Sequence, residues 1–290
     1  METIRNAMTI DVEDYYQVSA FETHVSRDTW CARPSRIDRN LRRILDILDE
    51  HGVSATFFTL GWVAERHSDL IRELVRRGHE LASHGYAHVR VNRQTRQAFL
   101  EDAHRTKSLL EDVAGVAIQG YRAASYSIDD STPWAHEVLR ETGHRYSSSV
   151  YPIRHDHYGE PEAPRFAFNP IPGDDAFIEV PISTIDVRAR RLPCGGGGYF
   201  RLYPYLVSRW AFKRLNHIEG VSGIFYFHPW EIDPEQPRIS GLSAKTRFRH
   251  YLNLARMEAR WRRLLSDFHW DRMDRIFLLP SIAPASQESV

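Results

Sequence analysis

Cysteine and lysine are the scarcest informative residues in this 290-residue chain. The two cysteines, Cys31 and Cys194, stand far apart and form no CxxC pair, which excludes a disulfide framework, a zinc ribbon and a thioredoxin-like redox site. Only Lys107, Lys213 and Lys245 are lysines; arginine supplies the other cations, and 38 Lys+Arg balance 38 Asp+Glu. With no global excess of positive charge, no nucleic-acid partner is expected. There is no run of 18 apolar residues and no apolar core in Met1–Met8, so the reading is a soluble, cytoplasmic protein. Internal repeats are absent, and the only low-complexity stretch is Gly195–Gly198, which lacks the GK[ST] of a P-loop and reads as a flexible loop over a cleft.

What is present is a globular composition, 42% hydrophobic and 26% charged, together with 15 His, 13 Tyr and 7 Trp, residues suited to metal sites and sugar clefts. Apolar strand-like runs alternate with helical patterns. Ala7–Ile10 reads as a strand ending in Asp11-Val12-Glu13-Asp14. Leu41, Ile44, Leu45 and Leu48 mark one face of a helix that Gly52 stops. Further strands are read at 54–60, 79–82, 118–121, 178–180 and 224–227, with helices between them. This alternation predicts βαβ units and a parallel sheet or (β/α) barrel.

The polar clusters fall at strand ends: Asp11, Glu13 and Asp14 after the first, His84 and His88 after the third, Arg122 after the fourth and His228 after a late one. In a β/α barrel these ends share one mouth, so clusters distant in sequence converge. His84-x-x-x-His88 has metal-ligand spacing, a weak signal alone that a strand-end carboxylate strengthens. Two carboxylates at one strand end can divide the labour, one ligating the metal and the other taking a proton from the attacking water. If the strand continues, period-2 alternation puts Glu13 on the face of Asp11; if the chain turns at once, Asp14 points inward. Both remain candidates.

The ordered set Thr9-Ile10-Asp11, Ser83-His84-Gly85-Tyr86-Ala87-His88, Gly120-Tyr121-Arg122 and Tyr226-Phe227-His228 resembles the NodB-type polysaccharide deacetylases, carbohydrate esterase family 4. More narrowly, the Asp-x-Glu-Asp-Tyr opening and the tail from His228 onward are similar to the exosortase-locus (PEP-CTERM) deacetylases. The resemblance implies a distorted (β/α) barrel over residues 1–235 and a C-terminal extension over 236–290, mainly one basic amphipathic helix packed on the barrel. It implies Asp11 as general base, His228 as general acid, Arg122 as the residue orienting the base, and the backbone N–H of Tyr126 as oxyanion donor. His84 and His88, with Glu13 or Asp14, would hold one divalent ion, zinc, with cobalt or nickel as alternatives. The activity implied is hydrolysis of the acetamide of N-acetylhexosamine units in an exopolysaccharide or its lipid-linked precursor. Two alternatives stand beside it: hydrolysis of cyclic amides or ureides on the same fold, and a catalytically silent glycan-binding relative.

Three departures from the family pattern carry expectations of their own. The adjacent acidic pair is spread as Asp11-x-Glu13-Asp14. Ala124 stands where proline is usual. No acidic partner for the general acid is recognisable around Tyr146–Ser149. His144, His155 and His157 read as surface residues, and Trp30, Trp62 and Trp134 as core. Arg201 is read either as a contact to an anionic substrate or as a surface salt bridge. Between Arg238 and Arg275, ten Lys/Arg face four Asp/Glu. That basic face, including Arg260, Arg262 and Arg263, suggests peripheral contact with the inner membrane leaflet, where a lipid-linked saccharide would be met.

Overall fold

The computed structural model describes residues 3–156, 158–188 and 190–278. Eight strands form one parallel sheet: β1 (Arg5–Val12), β2 (Thr56–Thr59), β3 (Glu80–Ser83), β4 (Gly120–Tyr121), β5 (Tyr146–Ser147), β6 (Ile178–Glu179), β9 (Ile224–Phe227) and β10 (His269–Asp271). The remaining strands, β7 (Thr184–Val187) and β8 (Arg190–Pro193), make a separate antiparallel hairpin. The sheet runs β10-β1-β2-β3-β4-β5-β6, with β9 also on β1, and curves into a half-barrel flanked by helices. Strand β1 is the hub. Its first residues pair with β10, its middle with β9 and its last four with β2. It is buried on both faces from Asn6 onward, and its polar Asn6, Thr9 and Asp11 all find partners inside the fold.

Helix α1 (Ile37–Glu50) buries Ile37, Leu41, Ile44, Leu45 and Leu48, the face that the i, i+3, i+4, i+7 pattern predicts. Truncating one such leucine to alanine costs about 2–5 kcal/mol in a packed core. α2 (Gly61–Arg66), α3 (Ser68–Arg76) and α4 (Arg96–Ala114) follow; α4 is capped by Thr95 Oγ1 on Ala98 N–H and stopped by Gly115 at φ 69°. α5 (Ala135–Glu141), α6 (Gly197–Leu202) and α7 (Tyr205–Arg214) complete the flanks before β9.

After residue 235 the chain forms α8 (Ala244–Tyr251), α9 (Leu254–Asp267), β10 and α10 (Met273–Phe277). The single helix read over this stretch is broken at Asn253, which sits at φ 52°, and β10 carries the segment back into the sheet beside β1. α9 buries Leu254, Met257, Trp261, Leu264 and Leu265. Part of its basic face is engaged within the protein, while Arg256 and Arg263 are exposed. Arg260 Nη1 donates to the carbonyls of Phe200, Arg201 and Tyr203, Arg262 pairs with Glu50 and Glu258, and Arg263 lies 4.6 Å over the Tyr205 ring.

The glycine run also departs from the reading of a flexible loop. Gly195–Gly197 are buried and lead into α6, with Gly196 bridged to Tyr226 of β9. A Cβ at Gly197 would collide with the Glu231 carboxylate, so these glycines allow backbone to approach β9 and its following turn. His144 is buried, not at the surface, with Nδ1 2.9 Å from Thr142 Oγ1. His155 stacks on Tyr158 at 4.1 Å, and His157 lies outside the described residues. No described helix is long and apolar enough to cross a membrane.

Candidate active site

The C-terminal ends of the parallel strands open into a cavity of about 330 Å³ lined by Asp11, Glu13, His84, His88, Ser125, Tyr126, Tyr226, His228 and Trp230, among others. Asp11, on the last turn of β1's pleat, meets Arg122 just past β4, with Nη1 2.6 Å from Oδ1. Arg122 is fully buried. Its other donors reach Thr9 Oγ1 at 2.8 Å, Ser148 O at 3.1 Å and Ser148 Oγ at 3.0 Å. The guanidinium thus ties β1 to the segment after β5 and holds Asp11 in one rotamer. The serine-rich stretch where no partner for His228 was recognised serves Arg122 instead.

His84 and His88 sit on a loop with an identifiable scaffold. Gly85 turns the chain at φ 71°, close to the Asp102 carboxylate of α4, which accepts from Tyr86 N–H at 3.3 Å. Arg27 donates to the carbonyls of Ala87 at 2.8 Å and His88 at 3.0 Å. His84 Nδ1 lies 2.7 Å from Arg122 O, an acceptor, so this nitrogen carries the proton and Nε2 is left with its lone pair toward the cavity. Burial lowers the pKa of His84 and, with His84 beside it, drives that of His88 well down, keeping both imidazoles neutral as metal ligands require.

Glu13 joins them. Its carboxylate and the two imidazoles offer ligand atoms all within 4.8 Å of one another. β1 runs to Val12, so Glu13 follows the strand on the side of Asp11. Asp14 faces away: Oδ2 accepts from Ser35 Oγ and Arg36 N–H, each at 2.8 Å, and Oδ1 accepts from Tyr15 N–H at 2.9 Å. A carboxylate there complements the N-terminus of α1. Asp14 is thus engaged at the start of α1 and lies outside the cluster of Glu13, His84 and His88.

The donors at Glu13, His84 and His88 fit a divalent cation. Glu13 Oε2 is buried with no hydrogen-bond partner, although His88 Nε2 stands 3.0 Å away in an orientation that makes no bond. Burial pushes the Glu13 carboxyl up to about 7, partly offset by His228. A cation would satisfy that oxygen and the two lone pairs together.

Across the cavity, His228 Nε2 is 3.5 Å from Glu13 Oε1 and its Nδ1 is 2.8 Å from Glu231 Oε1. Glu231 is buried and gripped by Arg201 Nε at 2.6 Å. Arg201 in turn donates to the carbonyls of His250 at 2.9 Å and Leu252 at 2.6 Å. Arg201 is not at the surface as read: its salt bridge to Glu231 is buried inside the fold. Burial opposes a charge on His228, but Glu13, Glu231 and Asp11 outweigh it and hold its pKa at about 9. Trp230 stacks on His228 at 5.1 Å and on His250 at 4.1 Å, and donates Nε1–H to Glu13 Oε1 at 3.3 Å.

One assigned donor is otherwise engaged. Tyr126 N–H donates to Ala123 O at 3.0 Å, closing a tight turn in which Ser125 and Tyr126 have φ 53° and 50°. The Tyr126 side chain reaches the site, with its hydroxyl 3.4 Å from Asp11 Oδ2. Sequence reasoning missed Glu231 and Asp102. The capping-box spacing His228-x-x-Glu231 was a usable signal for the first, and nothing local marks the second.

A buried carboxylate–arginine pair, two histidines and a carboxylate within reach of one another, and a carboxylate-held imidazole meet at the mouth of a parallel half-barrel. Residues 30–147 match the polysaccharide deacetylase family model, and residues 148–278 match a domain of unknown function, DUF3473. Residues 30–147 thus carry a polysaccharide deacetylase domain of the NodB, carbohydrate esterase family 4 type. A peptidoglycan-N-acetylglucosamine deacetylase of Bacillus cereus is 30% identical over 96 residues, 33% of this chain and 35% of its own. A chitooligosaccharide deacetylase of Bradyrhizobium sp. is 29% identical over 96 residues, 33% of this chain and 42% of its own. The alignments thus span well under half of these relatives' length. A solved structure from Mycobacterium smegmatis assigned to the polysaccharide deacetylases superposes with TM-score 0.60 at 20% identity, covering 95% of this chain and 90% of that one. A family 4 pseudoenzyme from Bacillus anthracis superposes with TM-score 0.50 at 13% identity, covering 95% of this chain and 66% of that one. The fold is therefore shared with an inactive relative, and the argument for activity rests on the residues themselves.

Proposed function

We propose that this protein is a metal-dependent N-deacetylase that hydrolyses the acetamide of N-acetylhexosamine units in an exopolysaccharide or its lipid-linked precursor. The observation that supports this most is the meeting of Glu13, His84 and His88 with Asp11 on one side and His228 on the other. A divalent ion, zinc in this reading, held by Glu13, His84 and His88 would polarise the amide carbonyl and make water more acidic.

Asp11, fixed by Arg122, takes the proton from the attacking water. His228, charged and steadied by Glu231, gives a proton to the amine, which is otherwise a very poor leaving group. Tyr226 and Trp230 wall the space beside the acid, leaving room for a small acyl group. A silent glycan-binding relative has no use for an acid, a base and a ligand set kept together.

The test is acetate release from a panel of N-acetylated oligosaccharides and lipid-linked sugars, run beside cyclic amides and ureides. Acetate from the glycans supports the reading. Ring opening without acetate release would move the substrate to the cyclic amides, and no turnover on any amide would revive the silent binder.

A further inference from the structure

Two segments that each contribute lining to the cavity contain no acidic residue: 187–218, with seven Lys/Arg, and 236–257, with five. Both expose large apolar side chains. Helix α7 buries Tyr205, Ser208, Ala211 and Phe212 and turns Leu206, Val207 and Trp210 outward, 64%, 40% and 46% exposed. These three fall at i, i+1 and i+4 and make one face of the helix. Leu202, at the end of α6, is 45% exposed and lines the cavity. Phe248 of α8 is 56% exposed and also lines it. The hydrogen bonds from Arg201 to Arg249, His250 and Leu252 hold α6 against the end of α8, so the two apolar elements adjoin.

The uncompensated charges on α7 and α8 are cationic. Lys213 and Arg247 are exposed and pair with no carboxylate among the described residues, while the nearby acids Asp156 and Asp267 are engaged with Lys245 and Arg249, and with Tyr205 and Arg209. Single exposed apolar residues need no explanation, but a row of them running from Leu202 at the cavity along α7, with uncompensated cations beside it, does. We propose that this surface seats the protein on an anionic lipid bilayer, with Leu206, Val207 and Trp210 entering the headgroup–acyl boundary and Lys213 and Arg247 meeting the headgroups. A second copy of this chain fits poorly, because a self-complementary contact would bring the same cations face to face. A polyanionic glycan would use the cations and leave the leucine and tryptophan wet. Seated in this way, the cavity mouth lies at the level where the sugars of a lipid-linked saccharide sit; only this last point rests on the proposed deacetylation.

The experiment is co-sedimentation of the full chain with vesicles of phosphatidylcholine alone or mixed with phosphatidylglycerol, at low and high salt. Tight binding is expected to the mixed vesicles at low salt and weak binding to the neutral ones. Loss of two membrane-buried apolar side chains in the double variant L206S/W210S should weaken binding more than about tenfold. K213Q/R247Q should weaken it by about fivefold per cation. Circular dichroism confirms that the exposed substitutions leave the fold intact, and L206S/W210S should release acetate from a water-soluble N-acetylated oligosaccharide at the wild-type rate. No binding at low salt, or binding indifferent to L206S/W210S, overturns the proposal. So does a dimer that L206S/W210S dissolves, which would make the stripe a contact between copies. If the wild type releases no acetate at all, the catalytic reading fails while the vesicle result still decides this one.

Discussion

His228 Nδ1 lies 2.8 Å from Glu231 Oε1, three residues further along the chain. The contact fixes which nitrogen of the imidazole faces the cavity, and Arg201 prevents Glu231 from swinging away. Because a methyl group at Gly197 would strike the same carboxylate, the glycine run, the arginine and the glutamate act as one support for the general acid.

The first prediction concerns that support. His228→Ala should lower kcat by about 10²–10⁴-fold, typical of losing a positioned proton donor. Glu231→Gln should lower kcat by less, with KM little changed, because the imidazole keeps a neighbour but loses its charge partner. Gly197→Ala should act in the same direction as Glu231→Gln. Steady-state kinetics on a soluble substrate checks this, and a wild-type kcat in Glu231→Gln would dismiss the glutamate's role.

The second separates the two neighbouring acids. Glu13→Gln should leave the purified protein without its metal. Asp14→Asn should keep the metal but lose about 1–3 kcal/mol of stability, since its amide nitrogen cannot accept both the Ser35 hydroxyl and the Arg36 amide. Metal analysis and denaturant melts on both variants give the comparison. Metal retained in Glu13→Gln and lost in Asp14→Asn would reverse the assignment.

The third is a stability effect at Arg122. Its removal in Arg122→Ala leaves the Asp11 carboxylate buried without its cation and two acceptors on Ser148 unmet. Such a break costs about 3–5 kcal/mol, read as a lower urea midpoint. A midpoint equal to that of the wild type would mean that the pair contributes nothing to the fold.

The fourth is a pH dependence far from the site. Burial holds the pKa of His79 at about 4 and that of His144 at about 3, against an ordinary 6.5. Between those values the unfolded chain binds protons that the native chain refuses. Stability from this source is complete above the ordinary histidine value and falls as the pH drops through 6.5 toward 4. His79 Nδ1 accepts from Ala55 N–H at 3.2 Å, so His79→Gln should flatten part of that fall in urea melts taken across the range. An unchanged slope would exclude His79 as a contributor.

Much of the site was legible because its parts lie where strands end. Asp11, His84, His88, Arg122 and His228 each follow an apolar run, and a parallel sheet brings such positions to one mouth. The choice between Glu13 and Asp14 depended on how far β1 extends, a matter decided by its pairing with β2 up to Val12↔Thr59 and not by local pattern. Arg201 and Glu231 are 30 residues apart and meet only through the packing of α6 on β9, so no local signal joined them. The Tyr126 amide was assigned from motif position alone, whereas the left-handed turn at Ser125 and Tyr126 directs it to Ala123. On the C-terminal segment, charge counting found the cations but not their partners. Arg260 is held by carbonyls of the α6 region and Arg262 by Glu50 and Glu258, while Arg263 is exposed beside the Tyr205 ring.

The central claim is that Glu13, His84 and His88 hold one metal ion that the reaction requires. Acetate release from an N-acetylated oligosaccharide should vanish when the protein is stripped with a chelator and return on adding about one equivalent of a divalent ion per chain, as a mononuclear site demands. His84→Ala should show neither metal nor recovery. Full turnover by the metal-free protein, or by His84→Ala, would contradict the account.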